Sequence, residues 1–148
     1  MRILADTNIL ARIAQAGHRQ HAAALRAVER LLARNDDPCI VPQVVYEFWV
    51  VATRPATASG LALTVPQAKA ELAGARRTFT LLRDERAIFQ HWERLISDHD
   101  VKGKLAHDAR LVAAMLRHGL THILTFNTAD FQRFSGITVV APESVVSP

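Results

Sequence analysis

Asp6, Glu47, Asp108 and Asp130 are the acidic residues whose surroundings set them apart. Asp6 follows the apolar run Ile3-Leu4-Ala5 and precedes Thr7-Asn8, after which Ile9, Leu10 and Ile13 resume at helical spacing. Asp130 repeats that arrangement: His122-Ile123-Leu124-Thr125-Phe126 is apolar, and Asn127-Thr128-Ala129 separates it from the acid. Glu47 stands three residues after Val44 and four before Val51, interrupting the helical stripe those residues make with Phe48. Asp108 has Leu111, Val112 and Met115 at i+3, i+4 and i+7, which puts it on the inward face near the positive end of a helix. A carboxylate facing a core is costly unless it is paired or binds a cation. Plainer roles exist for some of these residues. Asp6 or Asn8 caps a helix by accepting from its free N–H groups, and Glu47 at the edge of a stripe is ordinary on a surface helix.

Gathered in one cleft, these carboxylates would repel, raise one another's pKa and oppose folding until a cation enters. Magnesium is the natural cation, a hard ion that takes oxygen ligands and keeps several waters. Such a site activates water and neutralises charge building on a phosphate. Asn8, Thr125 and Asn127 are placed to orient the acids as a polar surround. Lys104 and Arg110 flank Asp108 on neighbouring faces, available to phosphate. Other chemistries fit less well. A Gly-rich phosphate loop after a strand is missing, as is a Gly-x-Ser-x-Gly elbow. Of the seven histidines, only His18/His21 and His118/His122 come near ligand spacing. The first pair lacks a third ligand, and Gly119 interrupts the second. A phosphatase of the haloacid-dehalogenase type wants a second Asp two residues after the first, where this chain has Asn8.

The elements that would carry these residues alternate. After the Asp6 junction, Gly17 breaks the pattern, and a helix starting near His18 places His21, Leu25, Val28 and Leu32 on one stripe. Asn35-Asp36-Asp37-Pro38 reads as a solvated turn, and Cys39-Ile40-Val41 as a second short strand. Pro42 opens a helix that Arg54-Pro55 stops. The small residues from Ala56 to Gly60 form a loop expected to be the most mobile segment. Thr64 and Gln67 have capping-box spacing before a helix carrying Ala68, Leu72 and Ala75. Phe79-Thr80-Leu81-Leu82 is a third strand. A helix after Asp84 turns Ile88, Trp92, Leu95 and Ile96 inward, with Trp92 and Trp49 read as core. Gly119 ends the Asp108 helix, Ile137-Thr138-Val139-Val140 is the last strand, and Ser147-Pro148 is expected to fray. Short strands alternating with helices predict an α/β fold with a parallel sheet covered on both faces.

Composition agrees with one domain over 1–148. The chain is 49% hydrophobic and 22% charged, which excludes disorder for most of its length. Lys and Arg total 18 against 14 acids, a net +4 that favours a polyanionic partner. The single Cys39 permits no internal disulfide, which suits a reducing cytoplasm. No apolar run reaches the ~20 residues of a membrane span, and the N-terminal run is too short for a signal peptide.

Leu4-Ala5-Asp6-Thr7-Asn8, Glu47, Gly103-Lys104-Leu105-Ala106-His107-Asp108-Ala109 and Leu124-Thr125-Phe126-Asn127-Thr128-Ala129-Asp130-Phe131 together closely resemble PIN-domain proteins of the VapC toxin type. The resemblance spans nearly the whole chain, and all four acids agree in order and spacing. It implies a three-layer α/β/α domain with a central parallel sheet of four or five strands. It also implies a Mg²⁺- or Mn²⁺-dependent endoribonuclease, a homodimer, and inhibition by a cognate antitoxin. By the same resemblance Asp6, Glu47 and Asp108 hold the main ion, and Asp130 completes the site or binds a second ion. Thr125 and Asn127 occupy positions that commonly support the fourth acid. The segment from about Arg54 to Arg77 is less typical of the family. The rival expectations are a non-catalytic RNA-binding protein of the same fold and a Mg²⁺-dependent phosphatase or receiver-like module.

Overall fold

A computed structural model describes residues 1–146. In chain order the elements are β1 (Arg2–Ala5), α1 (Thr7–Ile13), α2 (His21–Ala33), β2 (Asp37–Ile40), α3 (Pro42–Thr53), a 3-10 turn (Ala56–Ala58) and α4 (Val65–Thr78). They continue with β3 (Thr80–Leu81), α5 (Arg86–Asp98), α6 (Leu105–His118), β4 (His122–Leu124), α7 (Thr128–Phe131), β5 (Thr138–Val140) and α8 (Pro142–Val146). All five strands are parallel, in the order β3-β2-β1-β4-β5. Ile3, Leu4, Cys39, Ile40, Ile123 and Leu124 are fully buried, as strands sandwiched between helix layers must be, and this is why they read as continuous apolar runs rather than alternating ones. The helices form two packed groups, α1 to α4 with α8, and α5 to α7. The result is a three-layer α/β/α fold, as expected.

The strand order determines where a site can form. From β1 the chain builds outward through β2 to β3, then returns to the other side of β1 to lay down β4 and β5. The point of reversal lies between β1 and β4, where an open parallel sheet leaves a crevice beyond its carboxyl ends. The ladders run one residue past these strands. The Asp6 N–H donates to the Leu124 carbonyl at 3.0 Å, and the Thr125 N–H to the Val140 carbonyl at 3.0 Å.

Several local expectations are met by geometry. Thr64 and Gln67 form a reciprocal capping box at the start of α4, and Gly119 closes α6 at φ 67°, the left-handed conformation glycine adopts without strain. Trp92 is half-buried, with its indole N–H on the Ala106 carbonyl at 2.8 Å.

Others need correction. Helix α2 begins at His21 rather than near His18, because residues before it turn: the Gln20 N–H donates to His18 Nδ1 at 3.1 Å. Its buried stripe is Ala24, Ala27, Val28 and Leu31, while Leu32 is 44% exposed. Alanines on the contact line let α2 approach α1 and α8, and a reading weighted toward large side chains misplaces that line. The segment expected to be most mobile is tied down. Residues 56–60 close on themselves: the N–H groups of Ala58 and Gly60 donate to the Pro55 carbonyl and that of Ser59 to the Ala56 carbonyl, at 2.9–3.0 Å. The residues after them, Leu61, Ala62 and Leu63, donate to the carbonyls of Val51, Arg54 and Ala52 at 2.9–3.0 Å, strapping the loop along the end of α3. Ser147-Pro148 lies outside the described residues.

Candidate active site

Asp6 sits immediately beyond β1 and is 6% exposed. It does cap α1: its Oδ1 accepts from the Thr7 N–H at 2.7 Å. Its Oδ2 accepts from the Thr125 hydroxyl at 2.7 Å and from Asn8 Nδ2 at 2.9 Å. Thr125, just past β4 and fully buried, therefore bonds Asp6 across the reversal point of the sheet. Its oxygen also accepts from Asn8 Nδ2 and from the Asn127 backbone N–H, both at 3.0 Å. The Phe126 N–H donates to Asn8 Oδ1 at 3.2 Å, which fixes which way the Asn8 amide points.

Glu47 reaches the same crevice from α3. Its Oε2 accepts from the Thr7 hydroxyl at 2.7 Å and its Oε1 from Gln43 Nε2 at 2.8 Å. Asp108 enters in the first turn of α6, and Asp130 in the first turn of α7. Four elements thus deliver four carboxylates to one end of the sheet. Their mutual influence is visible in Asp108, whose pKa is pushed up to about 7, first by burial and then by Asp6, Asp130 and Glu47. Lys104 opposes this shift, and its side chain is exposed. Burial also raises the pKa of Asp6, against the Thr125 and Thr7 bonds that lower it, with Glu47 and Asp130 raising it further.

Each expected residue thus has a place, and three of them differ in detail from the expectation. Thr125 donates to Asp6 rather than to Asp130, because the β1–β4 pairing sets its side chain beside the β1 terminus. Asn127 contributes its backbone N–H, while its side chain is exposed. Arg110 is engaged: its guanidinium bonds Gln43 Oε1 and Asp84 Oδ1, both at 3.2 Å. Thr7 and Gln43 were not singled out in the sequence, yet they hold both oxygens of Glu47 and are 9% and 7% exposed. Gln43 had a legible signal, standing four residues before Glu47 on the same helix face. Thr7 had only its adjacency to Asp6.

Every donor here is a carboxylate, hydroxyl or amide oxygen, the set a hard divalent cation prefers over softer metals. Among the described residues, no three His, Cys, Asp or Glu side chains are already gathered closely enough to hold an ion by themselves. Mg²⁺ does not require such a cage, since it keeps several waters and binds through one or two carboxylates plus substrate phosphate. The donor set and the repulsion stored at Asp108 fit that mode of binding.

A parallel α/β sheet with an acid-lined crevice at its reversal point defines the class of protein. The chain belongs to the PIN domain family, whose family model matches residues 3–137. Solved structures agree in fold. VapBC2 from Rickettsia felis, bound to a promoter DNA fragment, superposes with a TM-score of 0.71 at 14% identity, covering 95% of this chain and 98% of that one. A toxin–antitoxin complex from Klebsiella pneumoniae gives a TM-score of 0.63 at 26% identity, covering 95% and 97%. The Sarcin-Ricin loop cleaving toxin VapC20 from Mycobacterium tuberculosis gives 0.62 at 21%, covering 86% and 92%. Comparison with curated proteins finds no match.

Proposed function

We propose that this protein is a divalent-cation-dependent endoribonuclease that serves as the toxin of a toxin–antitoxin pair. The observation that carries the reading is the convergence of Asp6, Glu47, Asp108 and Asp130 from four separate elements, where burial first and then the three neighbouring acids push the pKa of Asp108 up to about 7. Like charges held together at this cost to the fold are characteristic of functional sites. The fold it shares with toxin–antitoxin complexes and with a loop-cleaving toxin supports the biological role, and the net +4 charge suits a polyanionic substrate.

In this reading Asp6, Glu47 and Asp108 hold a Mg²⁺ or Mn²⁺ ion, with Asp130 completing the site or taking a second ion. A bound cation supplies charge that neutralises the scissile phosphate and lowers the pKa of water. The chain's own residues do the rest. Thr125 and Asn8 fix Asp6, and Thr7 and Gln43 fix Glu47, so the acids present set oxygens rather than free rotors. Asp108 carries a proton up to near-neutral pH while no cation is bound. Lys104, exposed at the start of α6, positions the RNA backbone. Arg110 lies close by, but its guanidinium already has two protein partners. A cognate antitoxin is the implied partner, a homodimer the implied assembly and the cytoplasm the implied compartment; among the described residues no helix is long and apolar enough to cross a membrane.

The test is RNA cleavage with Mg²⁺, with EDTA, and by Asp6→Asn. Cleavage is expected only by wild type with metal. A folded Asp6→Asn protein that cuts as fast as wild type would show that the site is misassigned.

A further inference from the structure

Gln43 is bonded by all of its polar hydrogen-bonding atoms, and each bond runs to a part of the crevice. It is 7% exposed on the inner side of α3. Its Nε2 donates to Glu47 Oε1 at 2.8 Å and to the His107 carbonyl at 2.8 Å, while its Oε1 accepts from Arg110 Nη1 at 3.2 Å. Only one orientation of the amide satisfies these partners. Turned over, Nε2 would face a guanidinium that can only donate, and Oε1 would face a carboxylate and a carbonyl that can only accept. Arg110 thereby selects the amide orientation, and Asp84 steadies Arg110 from its other side at 3.2 Å.

The His107 carbonyl belongs to the peptide that leads into Asp108. One amide group thus joins the Glu47 carboxylate on α3 to the backbone beside Asp108 on α6. No β-strand ladder sets the spacing of these two helices, and a side chain that bridges them does so directly. From this geometry we infer that Gln43, oriented by Arg110, is a positioning residue that sets Glu47 against Asp108 and so governs the affinity of the site for a divalent cation. The inference rests on the reading of the four acids as a cation site. It gives Arg110 a role in place of the phosphate contact its position had suggested.

The experiment compares wild type, Gln43→Met and Arg110→Met. Mn²⁺ affinity is measured by the electron paramagnetic resonance of free ion, beside kcat and KM for RNA cleavage. Methionine keeps the volume of glutamine and removes its hydrogen bonds. Gln43→Met is expected to bind Mn²⁺ about 10–100-fold more weakly, as loss of a ligand's supporting partner typically does. At saturating Mn²⁺ its RNA KM should match wild type and its kcat should be recovered. Arg110→Met should shift Mn²⁺ affinity in the same direction by less, and it carries the test if Gln43→Met does not fold. A folded Gln43→Met chain that binds Mn²⁺ as tightly as wild type, or whose kcat excess Mn²⁺ does not restore, overturns the inference. So does Arg110→Met raising the RNA KM with Mn²⁺ affinity intact. Wild type that binds no Mn²⁺ would bring down the cation reading itself, a result separate from wild-type binding matched by the variant.

Discussion

Asp108 is the residue at which the strain of this arrangement can be measured. Its ordinary pKa of 3.8 is pushed up to about 7 in the folded chain by burial and by three neighbouring acids. Over that interval the fold retains a proton that the unfolded chain has released. The contribution of Asp108 to stability is therefore complete below pH 3.8 and is lost as the pH rises through about 7. Asp37, whose pKa is lowered chiefly by the Thr80 hydroxyl bond, acts with the opposite sign: its contribution is complete above its ordinary value of 3.8 and is lost only as the pH falls below it, so it does not vary between pH 5 and pH 8. Metal-free protein should accordingly melt lower at pH 8 than at pH 5 by an amount that Asp108→Asn reduces, Asp6 with its own raised pKa supplying the remainder. At pH 8 the variant should melt several degrees above wild type, since ~1 kcal/mol moves Tm by roughly 2–4 °C in a chain of about this size. Mg²⁺ should raise the wild-type Tm more at pH 8 than at pH 5, and the variant's hardly at all. Equal slopes with pH for the two proteins would contradict the assigned cause. Thr125→Val tests the other half of the crevice. It keeps the shape but leaves Asp6 Oδ2 and the Asn127 N–H each short of a partner. A loss of ~1–3 kcal/mol in urea denaturation is expected, the penalty for stranding a buried polar group.

At the scale of elements, the loop after α3 shows how a tight contact replaces mobility. A Cβ on Gly60 would lie 2.0 Å from the Arg54 carbonyl oxygen, so only glycine lets the strap close on the helix end. Gly60→Ala should destabilise the fold by ~1–3 kcal/mol, the range for overpacking, seen as a lower urea midpoint; an unchanged midpoint would mean the strap does not contribute. The same loop marks where sequence reasoning stops. The strands β1 and β4, the helices carrying Glu47 and Asp108, and the caps at Thr64 and Gly119 were legible because burial and capping leave local patterns; β2 was legible only from Cys39, since Asp37 and Pro38 read as a turn yet pair with Arg2 and Ile3. The strap was not, because small residues such as Ala56, Ser59 and Gly60 spell a loop without saying what it will bond. Helices α7 and α8, with 4 and 5 residues, are too short for periodicity to register. In the site, the acids showed as interruptions of apolar stripes. Their partners did not, because the bond from Thr125 to Asp6 spans 119 positions and that from Thr7 to Glu47 spans 40. Those links exist only after the sheet order is known.

For the whole molecule, the net charge of +4 suits the polyanionic substrate proposed for it. RNA affinity should fall log-linearly with salt concentration, the signature of counterion release, while Mn²⁺ affinity changes far less. A KM for RNA that is flat from low to high salt would argue against an electrostatic docking face. The central place of β1 has a further consequence, for the time at which the crevice can form during synthesis. On the ribosome β1 emerges before the strand that completes its second edge, β4, which is made more than a hundred residues later, together with Thr125 and Asp130. Until then the crevice has one wall, Asp6 lacks the hydroxyl that steadies it, and one of the four acids has yet to be translated. A product terminated before β4 should therefore lack the assembled crevice, with Asp6 short of its Thr125 partner. The order of strands along the chain thus delays assembly of the crevice until β4 has been made.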